Sequence, residues 1–259
     1  MPSRTEVEKS LVRRCMTFVL DENLGLSTEE KAWKGILSGA GISAERSTDL
    51  VHIDEMLASH KADIAYIPTA EFHRLLGKED PYYRGLAIAT SKVSGEPNQR
   101  SLLVVRKDDA ANGLGDLFGS QYGYVNKSCT SSYFAPAILL GKQGKRLDEF
   151  LKMVPVPAWQ GQIDAVTSNK VRATMVLEDI WSGSPDNAQN TKIIGQLDGC
   201  KPPVVIVRRD LDEATCKTLL DALVAWMPKG QAVYGAFRPY YYADVQSFFH
   251  DLNGLPPGF

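Results

Sequence analysis

The strongest constraint on this chain is alternation. Short apolar runs take turns with stretches whose apolar residues recur at helical spacing, along almost the whole sequence. A strand that feeds a helix rejoins its sheet in parallel, so this order argues for an α/β protein with mostly parallel sheets flanked by helices. The runs "RCMTFVL", "ISAERST", "ADIAYIP", "RGLAIAT", "RSLLVVRK", "QYGYVN", "QIDAVTS", "TKIIGQL" and "PPVVIVRR" read as strands. "STEEKAWKGILSGAG" reads as a helix, with Ser27 as cap, Glu30 completing a capping box and Gly41 just past its end. "DLVHIDEMLASHK", "AEFHRLLG" up to Gly77, "GKRLDEFLKMV" up to the breaks at Pro155 and Pro157, "NKVRATMVLEDI", "DEATCKTLLDALVAWM" and "YYYADVQSFFHDLNG" read as further helices. "GLGDLFG" reads as a short helix or turn, and the tail "LPPGF" as a frayed end.

Bulk properties narrow the function. A chain of 259 residues can hold one large domain or two lobes. Apolar residues make up 44% and charged residues 23%, with a net charge of −2, so no basic excess supports nucleic-acid binding. No apolar run reaches the ~20 residues of a membrane helix, which argues against direct membrane insertion. The segment before "CMTFVL" is mixed in charge, and no small-residue cleavage site follows, so the sequence shows no signal peptide. Cys15, Cys129, Cys200 and Cys216 lack metal-ligand spacing and read as free thiols, with one disulfide open to an exported protein. His52, His60, His73 and His250 fall on predicted helices in polar surroundings and argue for no Ser–His–Asp triad. Neither a metal nor a cofactor is expected.

The stretch "VNKSCTSSYFAPAILL" (Val125–Leu140) is the candidate site. Five hydroxyl or thiol side chains fall in a row, from Ser128 to Ser132, where a predicted strand turns into a helix. Helix N-termini present unpaired N–H groups and a positive dipole end, so clustered hydroxyls there can bind an anion without a basic side chain. The plainer alternative is a helix cap, for which one such residue suffices.

Several stretches, in order, resemble the PhnD-like family of phosphonate, phosphite and phosphate-binding proteins, the solute receptors of ABC importers. "ADIAYIPTAEF" resembles the family's "G-x-x-D-[IV]-A-[WY]-x-x-P-x-x-[FY]" segment. "RSLLVVRKDD" followed by "LGDLFGSQYGYVN" resembles its hinge strand and the segment after it, "SCTSSYFAPAILL" its "S-T-S-G-[YF]-x-x-P-x-x-L" ligand loop, and "WQGQIDAV" its "x-N-G-x-[VI]-D-A" segment. "PPVVIVRRDLDEATCKTLLDALVAW" resembles the return strand and its helix. The resemblance implies a type II periplasmic-binding-protein fold, a clamp of two α/β lobes, with residues 1–106 and 202–259 in the first lobe and 107–201 inserted as the second. It implies a small anionic ligand in the cleft and the membrane subunits of an ABC transporter as partners. It also implies a periplasmic or extracellular location if a signal peptide has been removed, and a cytoplasmic one otherwise. Tyr66, Thr69, Cys129, Thr130, Ser131, Ser132, Trp159 and Asn169 are the implied ligand-binding residues, and no catalytic residue is implied. As residues alone, Tyr66 reads equally as a core aromatic, Thr69 as a helix cap, Ser168 and Asn169 as loop polars, Asp164 as structural, and Arg100 as solvated.

The departures from the family bear on the ligand. Cys129 stands where the loop usually has Ser, and a thiol donates weakly. Ser132 replaces the usual Gly, the helix before "QIDAV" carries no His, and Trp159 occupies a position where a small residue is usual. A planar carboxylate or aromatic acid packed on Trp159 or Tyr66 is therefore an alternative to a phosphonate. Two other functions stay open: a cytoplasmic enzyme of this fold acting on a small carboxylate or aromatic acid, such as a decarboxylase, or a cytoplasmic ligand sensor. The sequence shows no acid–base constellation, which favours binding over catalysis.

Overall fold

The alternation resolves into two separate sheets. The computed structural model describes residues 17–21, 43–47, 50–76, 82–228 and 233–256. The first-lobe elements before the crossing are β1 (Thr17–Asp21), β2 (Ser43–Ser47), α1 (Leu50–Ala58), β3 (Ile64–Ile67), α2 (Thr69–Leu76) and β4 (Tyr83–Ala89). Next come β5 (Gln99–Arg106), a 3-10 turn (Leu114–Leu117), β6 (Gln121–Tyr124), a π-helical turn (Thr130–Phe134) that continues as α3 (Ala135–Gly141), and α4 (Leu147–Phe150). The second lobe is completed by β7 (Lys152–Pro155), α5 (Gln160–Thr167), β8 (Ala173–Leu177), α6 (Glu178–Trp181), α7 (Pro185–Asn190) and β9 (Thr191–Cys200). The chain then returns through β10 (Val204–Arg208), α8 (Glu213–Ala225), β11 (Phe237–Pro239) and α9 (Tyr242–Asn253). The predicted helix at 27–41 with its caps, Cys15, Gly77 and the last three residues of the tail lie outside the described residues.

The first sheet runs β11-β4-β10-β3-β1-β2 and the second β7-β6-β8-β5-β9. Both are mixed. The βαβ portions are parallel, with β1 pairing β2 and β3, and β6 pairing β7 and β8. The strands that carry the chain between lobes reverse direction: β10 is antiparallel to β3 and β4, and β5 is antiparallel to β8 and β9. The chain leaves the first sheet after β4 and enters the second with β5, then returns between β9 and β10. The sequence reading counted β5 with the first lobe, but the strand pairs along its length with β8 and β9.

Three segments differ from their sequence reading. "QIDAVTS" forms helix α5 rather than a strand, because Ile163 and Val166, three apart, are both buried while Asp164 and Thr167 are exposed. "ATMVL" within "NKVRATMVLEDI" forms β8, buried at every residue, and only Glu178–Trp181 is helical. "GKRLDEFLKMV" makes one helical turn that buries Leu147 and Phe150, after which Lys152–Pro155 pairs with β6 as an edge strand.

Apolar burial holds each lobe and also joins them. On one face of the first sheet, Ile64, Tyr66, Ala87, Val205 and Val207 pack against Cys216, Leu219 and Leu223 of α8. The other face belongs to a larger cluster that runs from Phe72, Phe248 and Phe249 through to Leu140, Leu147 and Tyr122 of the second lobe. Helix α9 touches both α2 and β9, and Asp251 on it pairs with Lys142 of the second lobe at 3.0 Å. Among the described residues, no helix is long and apolar enough to cross a membrane.

At the end of β10 a buried ion pair fixes the first sheet. Arg208 meets Asp63 at 3.1 Å, and their side chains are 8% and 5% exposed. The Arg208 N–H also donates to the Asp63 carbonyl at 2.8 Å, and its Nε donates to Asp210 at 2.5 Å. Asp63→Ala removes the buried half of this arrangement. It is expected to cost about 3 kcal/mol, read as a lower urea midpoint at unchanged slope. A loss below about 1 kcal/mol would mean that exposed Asp210 alone satisfies the guanidinium.

Candidate functional site

The five-residue polar row divides its work. Ser132 is fully buried, and its Oγ accepts the Val125 N–H at 3.1 Å. Its carbonyl accepts the Tyr122 hydroxyl at 3.1 Å, and the same hydroxyl accepts the Met175 N–H at 2.9 Å. Burial pushes the Tyr122 hydroxyl well above its ordinary range, so it stays protonated and able to donate. Cys129 acts as the cap of the π-turn, its Sγ accepting the Ser132 N–H at 3.5 Å and lying 3.4 Å from the Ser131 hydroxyl. The Ser128 N–H turns back to the Asn126 side chain at 3.0 Å. Thr130 and Ser131 remain, and these line the cleft together with Cys129. The first N–H groups of the turn have no intrahelical partner, as at any helix start.

The cleft is a solvent-open space of about 500 Å³, the open solvent at its mouth included. Its walls come from both lobes. The second lobe contributes the 129–131 turn, Val125, Asn126, Leu177 and, around the start of α5, Ala158, Trp159 and Gln162. Pro68, Pro203 and Tyr234 come from the first lobe. Gln99 and Lys201 come from the two chain crossings. Gln99 opens β5 and pairs in register with Cys200 at the end of β9, so Lys201 follows directly beside it.

These crossing residues are the site's charge and its unspent donor. Lys201 and Gln99 are each only 5% exposed. The Lys201 ammonium donates to the Asn98 side-chain oxygen, and no ion pair to it forms among the described residues. Burial lowers its pKa from the ordinary lysine range, with Asp244 and Cys200 pulling weakly the other way. The Gln99 Nε2 group is buried without an acceptor. Such a donor is costly unless something supplies one. Gln162, by contrast, is spent on structure: its Nε2 donates to Thr174 Oγ1 at 3.1 Å and to the Met175 carbonyl at 2.9 Å.

Of the residues expected from sequence, the structure brings Cys129, Thr130, Ser131 and Trp159 together at the cleft. Ser132 sits directly behind them as the anchor described above. Tyr66 lies in the α8-facing core, fully buried, with its ring edge-on to Phe237 at 5.8 Å. Thr69 is also fully buried, and its hydroxyl donates to the Pro202 carbonyl, which ties α2 to the return crossing. Asn169 is exposed and takes a left-handed φ of 60° where α5 ends. Arg100 is held on the surface by Glu178 at 3.0 Å and Asp198 at 2.9 Å. Gln99, Lys201, Tyr234 and Gln162 were not singled out by sequence. The available signal was positional: in any two-lobed clamp the residues flanking the crossing strands border the cleft.

Comparison with known proteins agrees with this architecture. Residues 37–244 match the family described as "ABC transporter, phosphonate, periplasmic substrate-binding protein". No curated protein matches the chain. Among solved structures, the binding protein component of an ABC phosphonate transporter from Pseudomonas aeruginosa is similar with a TM-score of 0.70 and 16% identity, over 92% of this chain and 85% of that one. A Xanthomonas citri protein bound to ATP is similar with a TM-score of 0.69 and 16% identity, over 93% and 96%. PhnD1 from Prochlorococcus marinus in complex with methylphosphonate is similar with a TM-score of 0.66 and 13% identity, over 93% and 99%. At these identities the likeness is one of fold, a two-lobed α/β clamp.

Tyr122→Phe tests how the turn is held. The ring is kept, but the Met175 N–H and the Ser132 carbonyl lose their shared partner. The expected loss is about 1–3 kcal/mol of stability, measured by urea unfolding. Unchanged stability would show that the turn is positioned by packing alone.

Proposed function

The chain belongs to the family of periplasmic phosphonate substrate-binding proteins of ABC transporters, and from that premise we propose that it captures a small anionic solute between its lobes and presents it to the membrane subunits of an importer. In this reading the protein works outside the cytoplasmic membrane, in the periplasm or at the cell exterior. The observation that carries the proposal is the convergence of Thr130, Ser131, Gln99 and Lys201 on one cleft. Two hydroxyls, an amide donor without an acceptor and an ammonium without an ion-pair partner among the described residues make a donor-rich site for an oxyanion. A phosphonate is the first candidate for the headgroup, since a structural neighbour carries methylphosphonate.

Binding then closes the clamp through differential contacts. The hydroxyls belong to the second lobe and Pro68, Pro203 and Tyr234 to the first, so a ligand touching both favours the closed arrangement. The crossings change least in such a hinge motion, and they carry the charge.

The double variant Thr130→Ala/Ser131→Ala is expected to weaken methylphosphonate binding by about 1.5–3 kcal/mol per lost bond, tenfold or more for each. Isothermal calorimetry reads this directly. A variant that melts earlier yet binds as the wild type does would reduce the hydroxyls to a helix cap.

The pH dependence has a defined sign. Because burial lowers the Lys201 pKa in the folded protein, the unfolded chain binds more protons between the folded and unfolded values. The free protein therefore gains stability from this group as pH rises through that alkaline window. Anion affinity moves the opposite way, falling as Lys201 deprotonates, and Lys201→Met should flatten this fall. An affinity that is constant up to the ordinary lysine pKa would take Lys201 out of the site.

A further inference from the structure

The part of the cleft beyond the anion-binding groups is built for carbon. Trp159 meets Tyr234 where the lobes approach, the two rings in edge-on contact with centroids 6.0 Å apart, and both line the cleft. Ala158, Leu177, Val125, Pro68 and Pro203 supply apolar surface in the same space. A bare oxyanion would satisfy the donors and leave these walls facing water or empty space.

Trp159 is held in place at a cost. Its φ of 59° and ψ of −121° lie outside the regions open to ordinary L-residues, and it immediately precedes α5. No glycine relieves that position; a bulky indole occupies it instead. The following helix is tied to β8 through the Gln162 side chain, which resists a shift of α5. Strain of this kind persists only where surrounding structure imposes it, and here it puts the largest side chain of the chain's alphabet into the ligand space opposite a tyrosine.

We propose that the ligand is an amphipathic oxyanion whose headgroup meets Thr130, Ser131, Gln99 and Lys201 and whose aryl or comparably large apolar substituent packs against the Trp159–Tyr234 pair, making this aromatic pair the specificity determinant of the clamp. The inference rests on the proposed anion-binding function and narrows it from small anions to aryl-substituted or otherwise apolar-substituted ones. The headgroup chemistry it needs is shared by phosphonates and carboxylates. Because the two rings come from opposite lobes, a substituent packed against both also contributes to closure.

The test is calorimetric, with inorganic phosphate, methylphosphonate, phenylphosphonate and benzoate as probes. Wild-type protein should bind phenylphosphonate, benzoate or both at least about tenfold more tightly than methylphosphonate and phosphate, the scale of a well-packed aromatic contact. Which of the two aryl probes binds better distinguishes a tetrahedral from a planar headgroup. Trp159→Gly, which relieves the positive φ, and Tyr234→Leu, on the other lobe, should each bring the aryl-to-methyl affinity ratio close to one. Lys201→Met should weaken every bound probe and keep the ratio. Circular dichroism melts confirm that each variant is folded, and the Tyr234 variant carries the test if the Trp159 variant is not. Equal wild-type affinity for phenyl and methyl probes, or tightest binding of phosphate, overturns this inference while leaving the anion-binding function intact. No binding of any probe overturns both.

Discussion

The site depends on one buried hydroxyl. Tyr122 sits on β6, accepts the Met175 N–H of β8 and donates a hydrogen bond to the Ser132 carbonyl, joining two strands to the turn that follows. With Ser132 Oγ capping the Val125 N–H from the same turn, the backbone from 125 to 132 has little freedom left. Its remaining hydroxyls, on Thr130 and Ser131, are thereby presented to the cleft rather than to the core. The interior groups are neutral, well paired and buried, the condition under which a polar network rigidifies rather than destabilises.

The charge follows a different logic. Lys201 and Gln99 are buried at the crossings, Lys201 bonded to the Asn98 side chain and the Gln99 amide without an acceptor, a deficit that an oxyanion removes in the proposed function. Placing that deficit at the hinge suits a clamp. In the proposed motion the crossings keep their geometry while the lobes move, so the charged contact forms on encounter and the contacts from the two walls on closure. The walls carry the proposed discrimination, at the edge-on Trp159–Tyr234 contact made by one ring from each lobe. The buried Arg208–Asp63 pair belongs to the frame and not to this division of labour, being fully compensated within the first lobe.

Much of this was legible in the sequence. Alternating runs predicted an α/β protein, and the ordered segments from "ADIAYIP" to "PPVVIVRR" resembled a two-lobed receptor; both the fold and the family hold. The polar row at 128–132 pointed to the turn whose residues 129–131 line the cleft, because five small polar side chains at a strand-to-helix junction exceed what a cap requires. Periodicity failed where short segments carry apolar residues compatible with either period, as in "QIDAV", and tertiary packing made the choice. It also could not say which of several adjacent hydroxyls face inward: Ser132 and Thr69 are polar by type yet spend their groups on backbone partners. Lys201 escaped notice for a physical reason as well. A lysine beside two prolines reads as solvated, and only the meeting of two crossings, distant in sequence, buries it.

The central claim is that one cleft binds an anion with groups from the second lobe and from the crossings together. A crystal structure of the protein grown with phenylphosphonate tests it most directly. The phosphonate oxygens are expected within hydrogen-bonding distance of Thr130, Ser131 and Lys201, with the phenyl ring packed against Trp159 and Tyr234. A headgroup bound elsewhere, or held in this cleft without Lys201 and the turn, would contradict it.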